Sequence, residues 1–324
     1  MALEWCKRSS GKTIFALTGV FFGLLLALTV VTLTAGRAFN NDAFAEPVHA
    51  LTQGWTYAQG GMEEAVELPH RMRYGTDGRC TLSTVLQDPE DLFASPVVRV
   101  SSNHFNFQAY LNGQLLYRYE AQGMGASKSP GNAYHYLRLP AGYGGKTLEI
   151  HIQMLLGDTI PYTMETPLLG AKGAILMQTI RADLPQIAVV TLTMLFGLVT
   201  LGLTLLLRRQ LGFSASLFYT GVFAVAFALY AYGESETIRQ FVRNTYLLYL
   251  LTFTTLAFLP VPILMICRDS VDARYGRLLT ALAGLSLVNI AVQLVAHFAG
   301  WLDLRSAVPI THALVAAGAI LLVL

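Results

Sequence analysis

Two different spacings of apolar residues divide this chain. Between residues 36 and 183 apolar positions recur every second residue, whereas the flanking segments are unbroken apolar runs. In "KTLEIHIQM", Leu148, Ile150, Ile152 and Met154 fall on one side and Glu149, His151 and Gln153 on the other, the period of a half-buried strand. "PVVRVSSNHFNFQAYLNGQLLYRY" supplies further strands, with "SPGNAY" and "LPAGYGG" as turns. Asn112-Gly113 predicts a two-residue hairpin turn, since both residues tolerate positive φ. Many short strands with frequent turns predict an antiparallel sandwich or jelly roll, and the segment is long enough for one such core. The hairpin is apolar on both faces, with Phe107, Ala109, Leu111 and Leu116 on one and Tyr110, Leu115, Tyr117 and Tyr119 on the other. That predicts a place in the middle of a sheet, with one face available to a ligand.

Six other stretches are long and apolar enough to cross a bilayer, which takes about 20 residues. They run from Thr13 to Ala35, Leu184 to Leu207, Leu211 to Gly233, Thr245 to Cys267, Leu278 to Ala299 and Ser306 to Leu324, and none contains a charged side chain. Backbone polar groups cannot be left bare in lipid, so each is predicted to be a helix. The first run exceeds a signal-peptide core of about 7 to 15 residues and reads as a retained anchor. The last stops in apolar sequence with no interfacial anchor, as expected of a fragment of a longer protein.

Composition agrees. Hydrophobic residues make up 54% and charged residues 13%, a membrane-protein balance, and a net charge of +2 gives no reason to expect nucleic acid. Lys7, Arg8 and Lys12, then Arg208 and Arg209, then Arg268, Arg274 and Arg277 flank alternate ends of the spans. The positive-inside rule therefore puts the amino terminus in the cytoplasm and residues 36 to 183 outside. Of the three cysteines, Cys6, Cys80 and Cys267, only Cys80 is then external, so no intrachain disulfide is expected.

The expected organisation is a cytoplasmic amino terminus (1–12), an anchor helix (13–35), an extracytoplasmic all-β jelly-roll domain (36–183) and an α-helical transmembrane bundle (184–324). "GWTY" with "VELPH", "AYLNGQLLYRY" and "HYLRLPAGYGGKTLEIHI" resembles the galactose-binding-like jelly roll. Its setting after one anchor and before a bundle containing "ESETIRQF" and "WLDLRSAVPITH" resembles bacterial seven-transmembrane sensors with diverse intracellular signalling modules. The resemblance implies a plasma-membrane receptor whose chain continues into a GGDEF diguanylate cyclase, or less often a kinase, and which works as a homodimer. No GGDEF segment or nucleotide-binding motif is present, and "SSGKT" near the amino terminus lacks the first glycine of a phosphate loop. No catalytic residue, metal site or cofactor is assigned.

Two groups of candidate residues stand out. Trp55, Tyr117, Arg118, Tyr134 and His135 suit an extracellular small molecule or carbohydrate, flat rings for stacking and charges for an anionic substituent, although strand propensity alone explains the aromatics and exposed charge is the ordinary state. In the fifth run Asn289, Gln293 and His297 are four apart and share a helical face, with Glu234 and His312 expected to join them near the outer surface. Such a cluster serves either as interhelical glue or as a proton-sensitive relay. The reading is a transmembrane sensor in contact with lipid; its rivals are a transporter or accessory subunit, and a membrane-anchored carbohydrate-binding protein.

Overall fold

The computed structural model describes residues 46–323, except 90–94, 121–128, 130, 158–159, 212–213, 243 and 270, together with residues 19 and 23–28. The expected anchor therefore lies largely outside the described residues, with 23–28 helical, as do residues 1–12, Cys6 and Leu324.

Among the described residues, twelve strands form an antiparallel sandwich. One layer has the order β1 (Val48–Ala50), β12 (Leu168–Gly170), β6 (Val97–Asn103), β9 (Asn132–Arg138). The other has six strands in the order β3 (Met62–Val66), β2 (Trp55–Gln59), β5 (Arg79–Val85), β10 (Thr147–Met154), β7 (Phe105–Leu111), β8 (Gln114–Tyr119). A small pair, β4 (His70–Met72) and β11 (Tyr162–Met164), closes one side. From β6 to β10 the chain crosses repeatedly between layers, so both contribute to one core that includes Trp55, Leu82, Phe107, Leu137, Leu148 and Ile150. The alternation in β10 is as read: Leu148, Ile150, Ile152 and Met154 are buried and His151 is exposed.

The Asn112-Gly113 turn has φ of 47° and 76°, and Asn112 Oδ1 accepts a hydrogen bond from the Thr147 backbone N–H at 2.7 Å. The hairpin nevertheless lies at the edge of the six-stranded sheet, not in its middle. Its faces also differ from the expectation. Phe107 pairs with Tyr119 and Ala109 with Tyr117, so the two tyrosines share the inward face, because a bulge between Ala109 and Tyr110 shifts the register.

Helices follow in the order α1 (Lys172–Leu211), α2 (Ala215–Glu234), α3 (Glu236–Phe241), α4 (Thr245–Phe258), α5 (Pro260–Arg268), α6 (Ala273–Phe298) and α7 (Val308–Val323), with a 3₁₀ turn at Leu304–Ala307. Among the described residues, four segments are long and apolar enough to cross a membrane: Lys172–Leu207, Ala215–Glu234, Thr245–Arg268 and Ala273–Phe298. The last apolar stretch, Leu304–Ile320, is shorter. Pro260 explains why the third of these segments is two helices: it cannot donate to the ladder, and α4 gives way to α5 at Leu259. Small residues let the first two helices approach closely. A Cβ on Gly197 would stand 2.9 Å from Val225 N, and one on Gly221 would stand 3.0 Å from Gly197 O.

Helix α1 starts twelve positions before the apolar run expected at Leu184. At 40 residues it is roughly 60 Å long, about twice the thickness of a hydrocarbon core. Its early turns carry Ile175, Thr179 and Asp183 on one buried stripe, each four residues from the last. That stripe, invisible to hydropathy because Arg181 and Asp183 interrupt it, meets the sheet domain and α3.

A candidate coupling site between the sheet domain and the helices

The four-stranded sheet is buried on both sides along β6, where every residue from Val97 to Ser102 is buried. Alternation turns Val98 and Val100 into the sandwich and Arg99 and Ser101 toward the helices. Arg99 Nη1 donates to Thr179 Oγ1 on α1 at 2.8 Å and lies 3.6 Å from Glu236 Oε2 on α3. Its guanidinium covers the Tyr134 ring at 4.7 Å, so one cation ties two strands to two helices. Two residues along β9, Tyr136 donates from its hydroxyl to Gln240 Oε1 of α3, and Lys172 Nζ stands 5.1 Å above its ring.

Helix α3 is fixed from beneath. Asp183 Oδ2 accepts from the Ser235 hydroxyl and from the Thr237 N–H at 2.9 Å, while Ser235 Oγ caps Ile238 N–H at 3.2 Å. Arg239 donates from Nε to Gly233 O at 3.0 Å and from Nη2 to Glu234 Oε2 at 2.6 Å. A six-residue helix has little stability of its own, so these contacts are what hold it against β9.

A second contact is built around His104, in the turn between β6 and β7 with φ of 60°. The ring is buried, its Nδ1 is 2.6 Å from Ser129 Oγ, and its edge meets Tyr249 at 5.8 Å and Phe253 at 6.1 Å, both on α4. Burial lowers the imidazole pKa to about 3, helped by the positive charges of Arg305 and Arg239, so it is neutral at ordinary pH. Beside it Gly131, at φ of 77°, brings strand to helix so closely that a Cβ would lie 3.0 Å from Thr245 O. A cavity of about 20 Å³, room for a water molecule, lies between His104, Asn132, Glu234, Arg239 and Tyr249.

From Tyr249 the polar contacts continue along the helices. Its hydroxyl donates to Asp303 Oδ1 and accepts from the Arg305 N–H at 3.0 Å. Its ring lies 5.9 Å from His297, whose Nε2 is 3.1 Å from the Tyr246 hydroxyl. Gln293 Nε2 donates to Asn289 Oδ1 at 3.1 Å, one and two turns further along α6. Asn289, Gln293 and His297 therefore do share a face, Gln293 and His297 fully buried. Glu234 is exposed and paired with Arg239, and lines the cavity rather than meeting His297. His312 is also exposed; its neighbour Thr311 is the buried one.

The other candidates are scattered. Trp55 is a core residue whose Nε1 donates to Leu51 O at 2.8 Å. Tyr117 and His135 meet inside the sandwich: the hydroxyl is 3.0 Å from Nδ1, and Ser102 Oγ is 2.8 Å from Nε2. Burial lowers the His135 pKa to about 4. Arg118 is exposed on the edge strand, 2.6 Å from Glu120. Tyr134 lies under Arg99 on the opposite side of β9 from His135. These five do not form one site.

Arg99, Thr179, Asp183, His104 and Tyr249 were not marked by sequence reasoning. The signals available for them are weak: a charged residue at an otherwise apolar strand position, and a buried stripe ahead of an apolar run. Compared with known proteins, the chain matches no family model, and no significant match is found among curated proteins or solved structures.

Proposed function

We propose that this protein is a multi-pass transmembrane sensor: the sheet domain lies outside the cell, receives a ligand, and passes the change through the helices to a cytoplasmic effector. By the resemblance described above, that effector is a diguanylate cyclase acting as a dimer. The observation that carries the reading is Arg99, a buried cation joining β6 and Tyr134 of β9 to Thr179 of α1 and Glu236 of α3. A domain that is merely anchored needs one span and no such contact. Here the outer side of β6 and β9 is seated on helices, one of which runs from the sheet through an apolar length sufficient to span a bilayer.

Signalling requires two arrangements of this junction to which the ligand binds unequally. Movement of β6 and β9 displaces Thr179 and α3 together, and α1, which stays helical through Pro185, transfers that displacement. The transporter reading asks for helices broken in matching pairs. Among the described residues one apolar segment is interrupted, at Leu259, without a counterpart in the other three. The test is the cellular cyclic di-GMP level in cells producing the protein from its own reading frame, with and without Arg99→Ala. A several-fold change at equal protein abundance is expected, and an unchanged level rules out this junction as the route.

A further inference from the structure

We infer that the bilayer leaflet beneath the sheet domain is itself a partner of the junction: α3 lies along the lipid headgroups with Ile238 and Phe241 turned into them, and Trp301 enters beside it. The inference rests on the helices being embedded in a bilayer and not on the sensor reading. Consecutive spans cross in opposite directions, so α3, which joins α2 to α4, lies at the end of both. Helix α2 has 20 residues, about 30 Å of helix, which is the thickness of a hydrocarbon core, so its last residue, Glu234, stands at the boundary. Helix α6 gives the same level. From Arg277, on the opposite side by the charge pattern, to Phe298 is also roughly 30 Å, and Trp301 follows within a turn.

Exposed apolar side chains alone decide nothing. What distinguishes α3 is that its other sides are taken. At about 100° per residue Glu236 and Gln240 fall on one side, and both are engaged with the sheet domain, Glu236 with Arg99 and Gln240 with Tyr136. The start of the helix is held by Asp183 of α1 through Ser235 and Thr237. Ile238 and Phe241 fall on the side away from Glu236 and Gln240, and Phe241 is 62% exposed. Phe298 is 59% and Trp301 82% exposed, at the same level as α3. A helix lying flat, with polar side chains on one side and apolar ones on the other, buries its apolar side at the boundary of headgroups and acyl chains. Tryptophan favours that depth, its ring against hydrocarbon and its N–H among hydrated headgroups. Lipid is thus the third wall of α3, and the depth of Phe241 sets how α3 stands against β6 and β9.

The test is tryptophan fluorescence of the full chain in nanodiscs of phosphatidylcholine, either unbrominated or brominated at the sixth and seventh or the eleventh and twelfth acyl carbons. The emission lost on Trp301→Phe reports Trp301, and the emission gained on adding Phe241→Trp to that variant reports position 241. Both should lose about half their intensity or more with the shallow bromines and less with the deep ones, as interfacial side chains do. Trp301 is read in the natural sequence, so that result does not depend on how a new tryptophan is tolerated. Leu115→Trp in the same background, beside the hairpin turn and away from the spans, should not be quenched. Absence of quenching at position 241 or 301, stronger quenching by the deep bromines, or equal quenching of Leu115→Trp overturns the inference. None of these readouts involves cyclic di-GMP, so failure here leaves the sensor reading standing.

Discussion

Arg99 Nη1 and Thr179 Oγ1, 80 positions apart in the chain, are joined by a 2.8 Å hydrogen bond that links the middle of a β-strand to the start of the longest helix. The threonine is itself held, donating to Ile175 O at 2.9 Å, so its acceptor lone pairs face the arginine in a fixed direction.

Replacing Arg99 by alanine removes this bond, the stacking on Tyr134 and the contact with Glu236. The ion pair contributes little because Glu236 is about half exposed. Most of the expected cost, about 2 kcal/mol, comes from the lost hydrogen bond and cation–π contact. Hydrogen exchange should show α3 and the first turns of α1 losing protection while β10 keeps its own. Arg99→Lys should not restore it, since an ammonium cannot serve Thr179 and lie flat on Tyr134 together.

Helix packing gives a paired prediction. Gly197→Ala places a methyl 2.8 Å from Val225 Cγ2 and 2.9 Å from Val225 N, and a backbone nitrogen within a helix cannot step aside. The expected destabilisation is about 1–3 kcal/mol. Gly202→Ala, on the same helix with nothing within 4 Å, should be neutral or raise stability by up to about 1 kcal/mol through helix propensity. Thermal unfolding in nanodiscs separates the two; equal melting temperatures would mean that α1 and α2 do not approach at Gly197.

Much of the sandwich was legible because its signal is local. The alternation in β10 and the Asn112-Gly113 turn depend on neighbours in sequence, and both are found as expected. The edge position of the hairpin was not legible, since it depends on whether a strand distant in sequence pairs with the outer side of β8. Nor was the side taken by Tyr117, which a single-residue bulge reverses. The junction was least legible of all. Thr179 and Asp183 look like ordinary polar residues ahead of an apolar run, and His104 is an isolated histidine; each acquires meaning only from a partner at least 25 positions away.

Acidification should loosen the sheet domain. His104 and His135 have pKa values lowered by burial to about 3 and about 4, whereas in the unfolded chain each titrates near 6.5. Between those limits the unfolded state binds more protons than the folded one, so stability falls as pH falls. The stabilisation is complete above about pH 6.5 and is lost at up to about 1.4 kcal/mol per pH unit for each histidine, until its folded pKa is reached. Melting temperatures measured from neutral to about pH 4 should therefore decline steadily, and His135→Gln should flatten the slope whatever its effect at neutral pH. A slope unchanged in that variant would mean His135 is not held neutral.

Orientation across the membrane is open to a labelling experiment with its own internal control. Gln114 is exposed at the tip of the hairpin, next to Gly113, so Gln114→Cys should react with a membrane-impermeant maleimide in intact cells. Cys80, in the same domain, is 5% exposed, its Sγ is 3.7 Å from Met72 Sδ, and burial pushes its thiol pKa up to about 12. It is both shielded and protonated, hence unreactive toward a reagent that needs a thiolate. The natural protein should accordingly label at Cys80 only after denaturation, while Gln114→Cys labels at once from outside. Reaction of Gln114→Cys only after the cells are opened would put the sheet domain in the cytoplasm, and the reading of that domain as the receiver of an external ligand would be lost.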